Sequence, residues 1–255
     1  MRTACTSVPP LLLATALALA ACGKSAGGGG PELAAATAAI ERRTAAIRDY
    51  ALAGTATDLG TGKALAFTYA FAQPTYTKAT VGTEHVTTFD GTAVVIVDHA
   101  NKVAQRQEVK GQKEDELLLS LNALFADFTV EGWRPPLLRP RGMTARTERG
   151  ADGERWLISV PIDDDTLAEQ RVTLRAPGGE FVEKAFLDKS GKVVAGVKVL
   201  EELKDAGTGL SFPKVWERTG PQGRFKVVLD GATVNAGLAK EQFTIAVPDG
   251  YRIGT

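Results

Sequence analysis

The chain has 255 residues, of which 44% are apolar, and its 30 lysines and arginines balance its 30 aspartates and glutamates. Zero net charge gives no broad electrostatic field for gathering nucleic acid or anionic lipid, so nucleic-acid binding is not expected. The composition is typical of a folded globular protein, and about 230 residues beyond a targeting segment suffice for a core without disulfides.

The first residues have the three regions of a secretory signal. Arg2 is followed by an uninterrupted apolar run at residues 11–21, and then by Cys22. This run is too short to cross a bilayer core, for which a helix needs about 20 residues. Residues 1–21 are therefore predicted to be a cleaved signal peptide and not a retained transmembrane anchor.

The end of the apolar run, Leu19-Ala20-Ala21-Cys22, resembles the bacterial lipobox. The resemblance implies cleavage before Cys22, a diacylglycerol on its sulfur and an acylated new amino terminus. The alternative is an ordinary signal peptide whose cleavage site adjoins a cysteine. Gly23 stands where an aspartate often retains such lipoproteins in the inner membrane, so the resemblance predicts a lipid anchor in the outer membrane, facing the periplasm.

Residues 22–31 are predicted to be a flexible tether, because residues 25–31 are serine, alanine, glycine and proline with no side chain large enough to pack. They precede a single folded domain at residues 32–255. Cys5 lies in the signal peptide and Cys22 would be acylated, so this domain has no thiol. Disulfides, thiol catalysis and cysteine-ligated metals are thereby excluded.

Two stretches have the periodicity of amphipathic helices. Apolar side chains recur at three-, four- and seven-residue steps in residues 31–50, which begin with Pro31. Residues 114–128 repeat the pattern with Leu117, Leu121 and Leu124 among others. Many alanines keep the first helix thin, so we expect it to lie close against a sheet.

Between and after these helices the apolar period changes to two. Residues 64–72 place bulky side chains on one face of a strand and alanine or threonine on the other, so the bulky face is either core or the wall of a ligand cavity. Turn sequences recur at residues 58–62, 90–91, 98–101, 188–191 and 220–223, between strand-like segments at 92–97, 156–162, 170–176, 181–187, 193–200, 215–219 and 225–229. Consecutive hairpins predict a meandering antiparallel sheet of roughly ten strands in an α+β domain.

No catalytic or cofactor-binding motif is present in the sequence. Gly60-Thr61-Gly62-Lys63 lacks the spacing of a phosphate loop and is interpreted as a turn. His85 and His99 have no metal-ligand spacing, and Asp163-Asp164-Asp165 lacks the alternation of a calcium loop. The sequence therefore predicts a protein that is not an enzyme and that needs no cofactor and no metal.

The order of helix, meander and second helix resembles the LolA/LolB-like family of outer-membrane lipoprotein-sorting proteins. The best local match is at residues 227–250, where an asparagine precedes Phe243, alternating apolar residues and Pro-Asp-Gly, the shape of the family's last strand. Pro74, Phe89-Asp90-Gly91 and Asp98 match the family's proline and turns. The resemblance implies a strongly curved antiparallel β-sheet, an incomplete barrel covered on its concave side by helices, around a cavity for acyl chains.

Binding of acyl chains needs only apolar wall area, which contributes about 25 cal/mol per Å² buried. The predicted lipid-binding residues are the wall residues Leu65, Phe67, Tyr69, Phe71, Val94, Ile96, Trp156, Ile158 and Val227, with the covering residues Ile40, Ile47, Leu117, Leu121 and Leu124. The alternative is that these side chains form a closed core.

Two features set the chain apart from the family's soluble carriers. These carriers have an arginine before the proline that corresponds to Pro74, where it bonds the lid, whereas this chain has Gln73. Gated cargo release of the carrier type is therefore not expected. Residues 134–140 are a proline-stiffened loop in which Leu137 and Leu138 lie between arginines, a candidate contact with a membrane or a partner.

The leading hypothesis is a membrane-fixed lipoprotein that binds acyl chains of a lipid or lipoprotein, in lipoprotein sorting or lipid transport. The second is an envelope sensor or structural lipoprotein that has a filled core and binds an envelope protein partner through its surface. An envelope hydrolase is third. A deep apolar cavity favours the first, a flat exposed patch the second, and a cleft with two perturbed carboxylates the third.

Overall fold

The computed structural model describes residues 30–109, 133 and 142–254, which form one large sheet with one α-helix packed on it. No helix in these residues is long and apolar enough to cross a membrane. The elements are α1 (Pro31–Ala46), β1 (Asp49–Asp58), β2 (Ala64–Ala72), β3 (Tyr76–Val81), β4 (His85–Phe89), β5 (Ala93–Asp98), β6 (Val103–Glu108), β7 (Thr144–Gly150), β8 (Gly153–Pro161), β9 (Leu167–Arg175), β10 (Glu180–Asp188), β11 (Val193–Lys204), β12 (Ser211–Gly220), β13 (Gly223–Val234), a 3-10 helix (Lys240–Phe243) and β14 (Arg252–Gly254).

Two meanders make up the sheet. Strands β1 to β6 follow one another, strands β7 to β13 do the same, and β1 pairs with β13 to join the two sets. The order begins at β14 and ends at β7, so the sheet is unclosed. Every pairing is antiparallel except that of β14 with β6. The predicted curved antiparallel meander is confirmed, and all five predicted turn sequences connect consecutive strands.

The strand count of 14 is higher than the predicted ten. The additional strands include β3, β4, β6 and β7, which are short and carry threonine, lysine, arginine or glutamine at many positions. Apolar alternation is weak in such segments because only one face, or neither, is fully buried. These segments are strands because they pair with neighbouring strands of the sheet, and a local sequence pattern does not reveal such pairing.

Helix α1 ends at Ala46, four residues before the predicted end at Tyr50. Ile47 already has extended backbone angles of φ −107° and ψ 106°, and β1 begins at Asp49. Tyr50 pairs with Phe71 on one side and Val234 on the other, so its backbone takes part in the sheet and not in the helix. The second predicted helix, at residues 114–128, lies outside the described residues.

The C-terminal residues 243–250 do not form the predicted last strand. The segment begins in the 3-10 helix, whose Phe243 is fully buried against Tyr76. Ile245 and Val247 then pack on a cluster of β5 and β6 residues, Val95, Val97 and Ala104. The apolar alternation in this segment therefore reflects side-chain packing on the sheet, and strand pairing resumes only at β14.

A β-bulge between Ala53 and Gly54 interrupts the pairing of β1 with β13. Bulges bend a strand and increase its twist, which favours a curved sheet. A Cβ atom at Gly54 would lie 2.5 Å from the Val228 carbonyl oxygen and 3.0 Å from the Phe67 ring. The backbone of β13 and the Phe67 ring approach this closely because residue 54 has no side chain.

Replacing Gly54 with alanine is expected to lower the free energy of unfolding by about 2 kcal/mol, because β13 or Phe67 must move to admit the methyl group. The control is Gly231→Ala at the same bulge, where a Cβ would meet nothing within 4 Å. Urea denaturation of the two variants measures the difference. Equal destabilisation by both substitutions would contradict the close approach at Gly54 as the cause of the effect.

Candidate functional site

The face of the sheet on which α1 packs, which we call the concave face, carries an apolar wall that runs along β1 and β2. Cross-strand pairs place Tyr50 opposite Phe71, Leu52 opposite Tyr69, and Ala56 opposite Leu65. Directly opposed residues share a face, so the bulky side of β2 and alternate residues of β1 form one surface. The predicted separation of β2 into a bulky and a small face is thereby confirmed.

Aromatic rings fill the part of this wall nearest to the C-terminal end of α1. Tyr50 lies with its ring centroid 5.3 Å from Phe71 and 5.5 Å from Trp133. Trp133 stacks on Phe212 at 4.4 Å, and its indole Nε1 donates a 2.9 Å hydrogen bond to the Pro213 carbonyl oxygen. The aromatic cluster, as we call it, comprises the buried residues Ile47, Tyr50, Leu52, Phe67, Tyr69, Phe71, Ala79, Phe89, Trp133, Phe212, Trp216, Val227 and Leu229.

The wall becomes accessible toward the turn between β1 and β2. Phe67 is buried, but Leu65, two residues nearer the turn on the same face, is 50% exposed. Val94 and Ile96 on β5 share this face and are half-buried. The concave face is thus packed at one end and open to solvent along its rim at the other.

Helix α1 covers the concave face of β7 to β10. Ala36 and Ala39 are fully buried there, which confirms that the thin, alanine-rich helix lies close to the sheet. The helix-covered cluster comprises the buried residues Ala36, Ala39, Ile40, Met143, Trp156, Ile158, Val160, Val172, Leu174 and Phe181. Of the predicted lipid-binding residues, Ile40, Trp156 and Ile158 lie in this interface between helix and sheet.

The other predicted site residues divide between the remaining surfaces. Phe67, Tyr69, Phe71, Val227 and Ile47 belong to the aromatic cluster. Leu65 and Ile96 are partly exposed on the concave wall, and the half-buried Val94 packs against the aromatic cluster. The residues outside the described part of the chain are Leu117, Leu121, Leu124, Leu137 and Leu138. Ligand binding by any of these residues stays a prediction.

Arg43 is a buried cation that no sequence motif marks. Its guanidinium donates a 2.7 Å hydrogen bond to the Ser211 carbonyl oxygen, lies 3.5 Å from the Glu180 carboxylate and sits over the Phe212 ring. Burial lowers the pKa of Arg43, and the charge of Glu180 opposes that effect. Arg43 therefore ties α1 to β10, to β12 and to the ring on which Trp133 stacks.

Three sequence motifs that contain carboxylate, lysine or histidine side chains form structural turns or a half-buried side-chain pair. The Asp58 carboxylate accepts hydrogen bonds from Gly60 and Thr61, as a turn requires. Hydrogen bonds from Thr166 and Leu167 lower the pKa of Asp164 to about 2. His99 Nδ1 lies 2.8 Å from the Tyr251 hydroxyl.

A solvent-open cavity of about 420 Å³ lies on the convex face between β7 and β11. Arginines line it, and three of them pair with carboxylates, Arg146 with Glu148, Arg155 with Asp152 and Arg171 with Glu169. These pairs neutralise most of its charge, so the cavity offers no strong binding chemistry.

Solved structures with a similar fold include a DUF1329 family protein from Desulfovibrio piger, at a TM-score of 0.55 and 10% identity, with 84% of this chain and 97% of that chain covered. A LolA superfamily protein from Nitrosomonas europaea has a TM-score of 0.52 and 10% identity, over 82% of this chain and 97% of that one. The chain has a LolA/LolB-like fold. A domain named for outer-membrane lipoprotein sorting, from Vibrio parahaemolyticus, has a TM-score of 0.52 at 9% identity, over 81% and 94% of the two chains. No family model and no curated protein matches the sequence.

Within this LolA/LolB-like fold, Gln73 and Asn235 close the end of α1. Gln73 Nε2 donates hydrogen bonds of 2.7 Å to the Ile47 carbonyl oxygen and 3.1 Å to that of Thr44. Asn235, at φ 55°, donates to the Ala46 carbonyl and accepts from the Arg48 amide. Gln73 thus bonds the end of the helix that covers the concave face.

Proposed function

We propose that this protein binds acyl chains of a lipid or lipoprotein on its concave face, in lipoprotein sorting or lipid transport and without a catalytic step. The observation that carries the proposal is the apolar wall that continues from the buried aromatic cluster to the half-exposed Leu65. The LolA/LolB-like fold supports it, because one protein with this fold is named for lipoprotein sorting.

Apolar contact alone provides the binding free energy in this proposal. Each methylene transferred from water to the wall contributes about 0.8 kcal/mol, so about ten methylenes offset the cost of immobilising the chain. No hydrogen-bonding group is needed along the acyl chain. The wall residues Phe67, Val94, Ile96 and Leu65 offer such a surface, with the rim at Leu65 as the entry side.

The proposed location is the outer membrane, facing the periplasm, with the protein held by acyl chains on Cys22. Three acyl chains anchor a protein far more stably than one myristoyl group does. Incorporation of labelled palmitate into the wild-type protein, and its loss in Cys22→Ser, tests the anchor. Label retained in Cys22→Ser would rule it out.

Replacing Leu65 with aspartate is expected to weaken binding of a single-chain amphiphile about tenfold, because it removes apolar contact and places a charge at the rim. Leu65 is half-exposed, so the substitution should leave the fold intact. Binding is measured by titrating the delipidated chain without residues 1–22, which retains every described element.

The matched control is Leu59→Asp. Leu59 is 42% exposed but lies in the turn between β1 and β2, off the concave wall. Its substitution adds the same charge nearby and should leave the affinity within about twofold, since a surface charge contributes little. Equal weakening by both variants would place binding outside the wall.

The alternative function is recognition of an envelope protein through an outer surface, with a filled core. The observation that favours it is the complete burial of Tyr50, Tyr69, Phe89 and Trp133, which leaves little space at the packed end of the wall. Saturable acyl binding that is sensitive to Leu65→Asp supports the acyl-binding function. Absence of acyl binding, with a stable complex between the protein and an envelope protein, supports the alternative.

A further inference from the structure

We infer that two copies of this chain pair through the outer edge of β7, so that their sheets join into one continuous antiparallel sheet. The inference goes beyond the proposed function and does not depend on acyl binding. It depends on three features of β7, namely an unpaired edge, backbone groups that point outward from that edge, and charges that match those of a second copy.

Strand β7 is one edge of the sheet. In the part of the chain that the structure describes, it pairs only with β8, over seven residues and without a bulge. The other edge strand, β14, has only three residues. Natural sheets often protect an edge by shortness, a proline or a bulge, and β7 has none of these. Its exposed residues are Thr144, Arg146, Thr147, Glu148 and Arg149.

Alternate residues of β7 direct their backbone N–H and C=O groups away from β8. The turn from β7 to β8 has two residues, so the flanking Gly150 and Gly153 exchange hydrogen bonds. Bonded pairs alternate along an antiparallel ladder, so the even-numbered residues of β7 bond to β8. The N–H and C=O groups of Ala145, Thr147 and Arg149 therefore point outward, where a further strand can bond to them.

The charges of β7 match those of a second copy in one antiparallel register. With a twofold axis at Thr147, Arg146 of each copy is opposite Glu148 of the other. The outward-pointing Ala145 is then opposite the outward-pointing Arg149, so the two strands exchange about six hydrogen bonds. Moving the axis by one residue would place Arg146 opposite Arg146, or Glu148 opposite Glu148, and like charges directly opposed are destabilising.

Four charges alternate around the proposed axis. Within one chain Arg146 and Glu148 already pair at 2.7 Å beside the convex cavity, with 66% and 48% of their side chains exposed. Pairing of two copies places a second opposite charge beside each of them, from the facing strand. Ion pairs in such a network contribute more than an isolated surface pair does. A row of lysines would protect the edge by repulsion, whereas these alternating charges favour one register of self-pairing.

The proposed pairing keeps both concave faces on the same side of the joined sheet. Thr147 is opposite Trp156 of the helix-covered cluster, so it faces the concave side. Residues directly opposed in antiparallel strands share a face, and this applies equally to Thr147 and its copy. The two α1 helices and the two concave walls therefore lie on one side of the dimer.

The first test is sedimentation equilibrium of the chain without residues 1–22, which retains every described element. The wild type should form dimers with a dissociation constant of about 10–100 μM, since paired edge strands bury less than about 1,200 Å². Arg146→Glu and Glu148→Arg should each weaken the dimer about tenfold to a hundredfold, because two attractive pairs become repulsive. An equal mixture of the two variants should recover the wild-type affinity, since each strand then faces the opposite charges.

The matched control is Arg224→Glu. Arg224 is 62% exposed and pairs with Glu217 at 3.1 Å, but its strand, β13, has a neighbour on both sides. The substitution changes the charge by the same amount and should leave the dissociation constant within about twofold. Equal weakening by Arg224→Glu would assign the effect to net charge and overturn the inference.

Disulfide formation tests the register. The chain without residues 1–22 has no cysteine, so a single introduced cysteine can bond only to that of a second copy. The Cα atoms of a hydrogen-bonded antiparallel pair lie about 5.5 Å apart, within the range of a disulfide. Thr147→Cys should therefore give a covalent dimer on mild oxidation. Ala145→Cys should not, because residue 145 is offset from its copy by four residues, or about 13 Å.

Three further results would overturn the inference. One is a wild type that stays monomeric up to about 1 mM. Another is a mixture of Arg146→Glu and Glu148→Arg that associates no more tightly than either variant alone, and the third is cross-linking of Ala145→Cys as efficient as that of Thr147→Cys. If either single variant does not fold, the double variant with both substitutions in one chain decides the question. It restores the match and should dimerise as the wild type does, and a monomeric, folded double variant would contradict the proposed register.

Discussion

Replacing Trp133 with alanine is expected to lower the free energy of unfolding by about 3–5 kcal/mol. The indole is fully buried, stacks on Phe212 at 4.4 Å and contacts Tyr50. The substitution removes these contacts, opens a cavity in the aromatic cluster and leaves the Pro213 carbonyl without its donor. Chemical denaturation followed by far-UV circular dichroism measures the change.

The control for this prediction is Trp133→Phe. Phenylalanine keeps an aromatic ring beside Phe212 but lacks the donor to Pro213, so a loss of about 1–2 kcal/mol is expected. The difference between the two variants separates ring packing from the hydrogen bond. A change below about 1 kcal/mol in Trp133→Ala would show that Trp133 does not stabilise the concave wall.

Replacing Arg43 with alanine is expected to cost about 3 kcal/mol of stability. The guanidinium is buried and bonds both the Ser211 carbonyl and the Glu180 carboxylate. Its removal therefore deprives each of these two groups of a partner. The lost contact with the Phe212 ring adds to the effect. Thermal unfolding, with the free energy derived at a common temperature, measures it.

The neighbouring Arg42 is the matched control. It is on the exposed face of α1, and its replacement by alanine should change stability by less than about 0.5 kcal/mol. Arg43→Lys keeps the charge but lacks the planar fork that reaches two acceptors, so it should recover only part of the loss. Similar stabilities of Arg42→Ala and Arg43→Ala would contradict the anchoring role assigned to Arg43.

Much of the fold follows from local sequence patterns. Turns that contain aspartate and glycine marked hairpin positions such as those at Asp90 and Asp188, because the aspartate side chain accepts a hydrogen bond from the backbone amide two residues later. Period-two alternation marked β2. The end of α1 could not be predicted in the same way, since Tyr50 fits the helical pattern and joins β1 only through pairing with distant strands.

Those parts of the candidate site that depend on local alternation were predicted, and those that depend on contacts between distant residues were not. Alternation within β2 identified Phe67, Tyr69 and Phe71, which share a face whatever their neighbours are. The role of Arg43 depends on contacts across the fold, because its guanidinium bonds residues more than 100 positions away. Trp133 was not predicted, because neither the burial of its indole nor the Pro213 carbonyl that accepts its hydrogen bond follows from the local sequence.

Acyl binding on the concave wall is most directly tested by native mass spectrometry of the delipidated protein titrated with a single-chain amphiphile. The proposed function predicts a saturable complex with the wild type that Leu65→Asp weakens about tenfold and Leu59→Asp does not. A wild-type protein that forms no complex at any amphiphile concentration below micelle formation, or one whose complex is unaffected by Leu65→Asp, would contradict it.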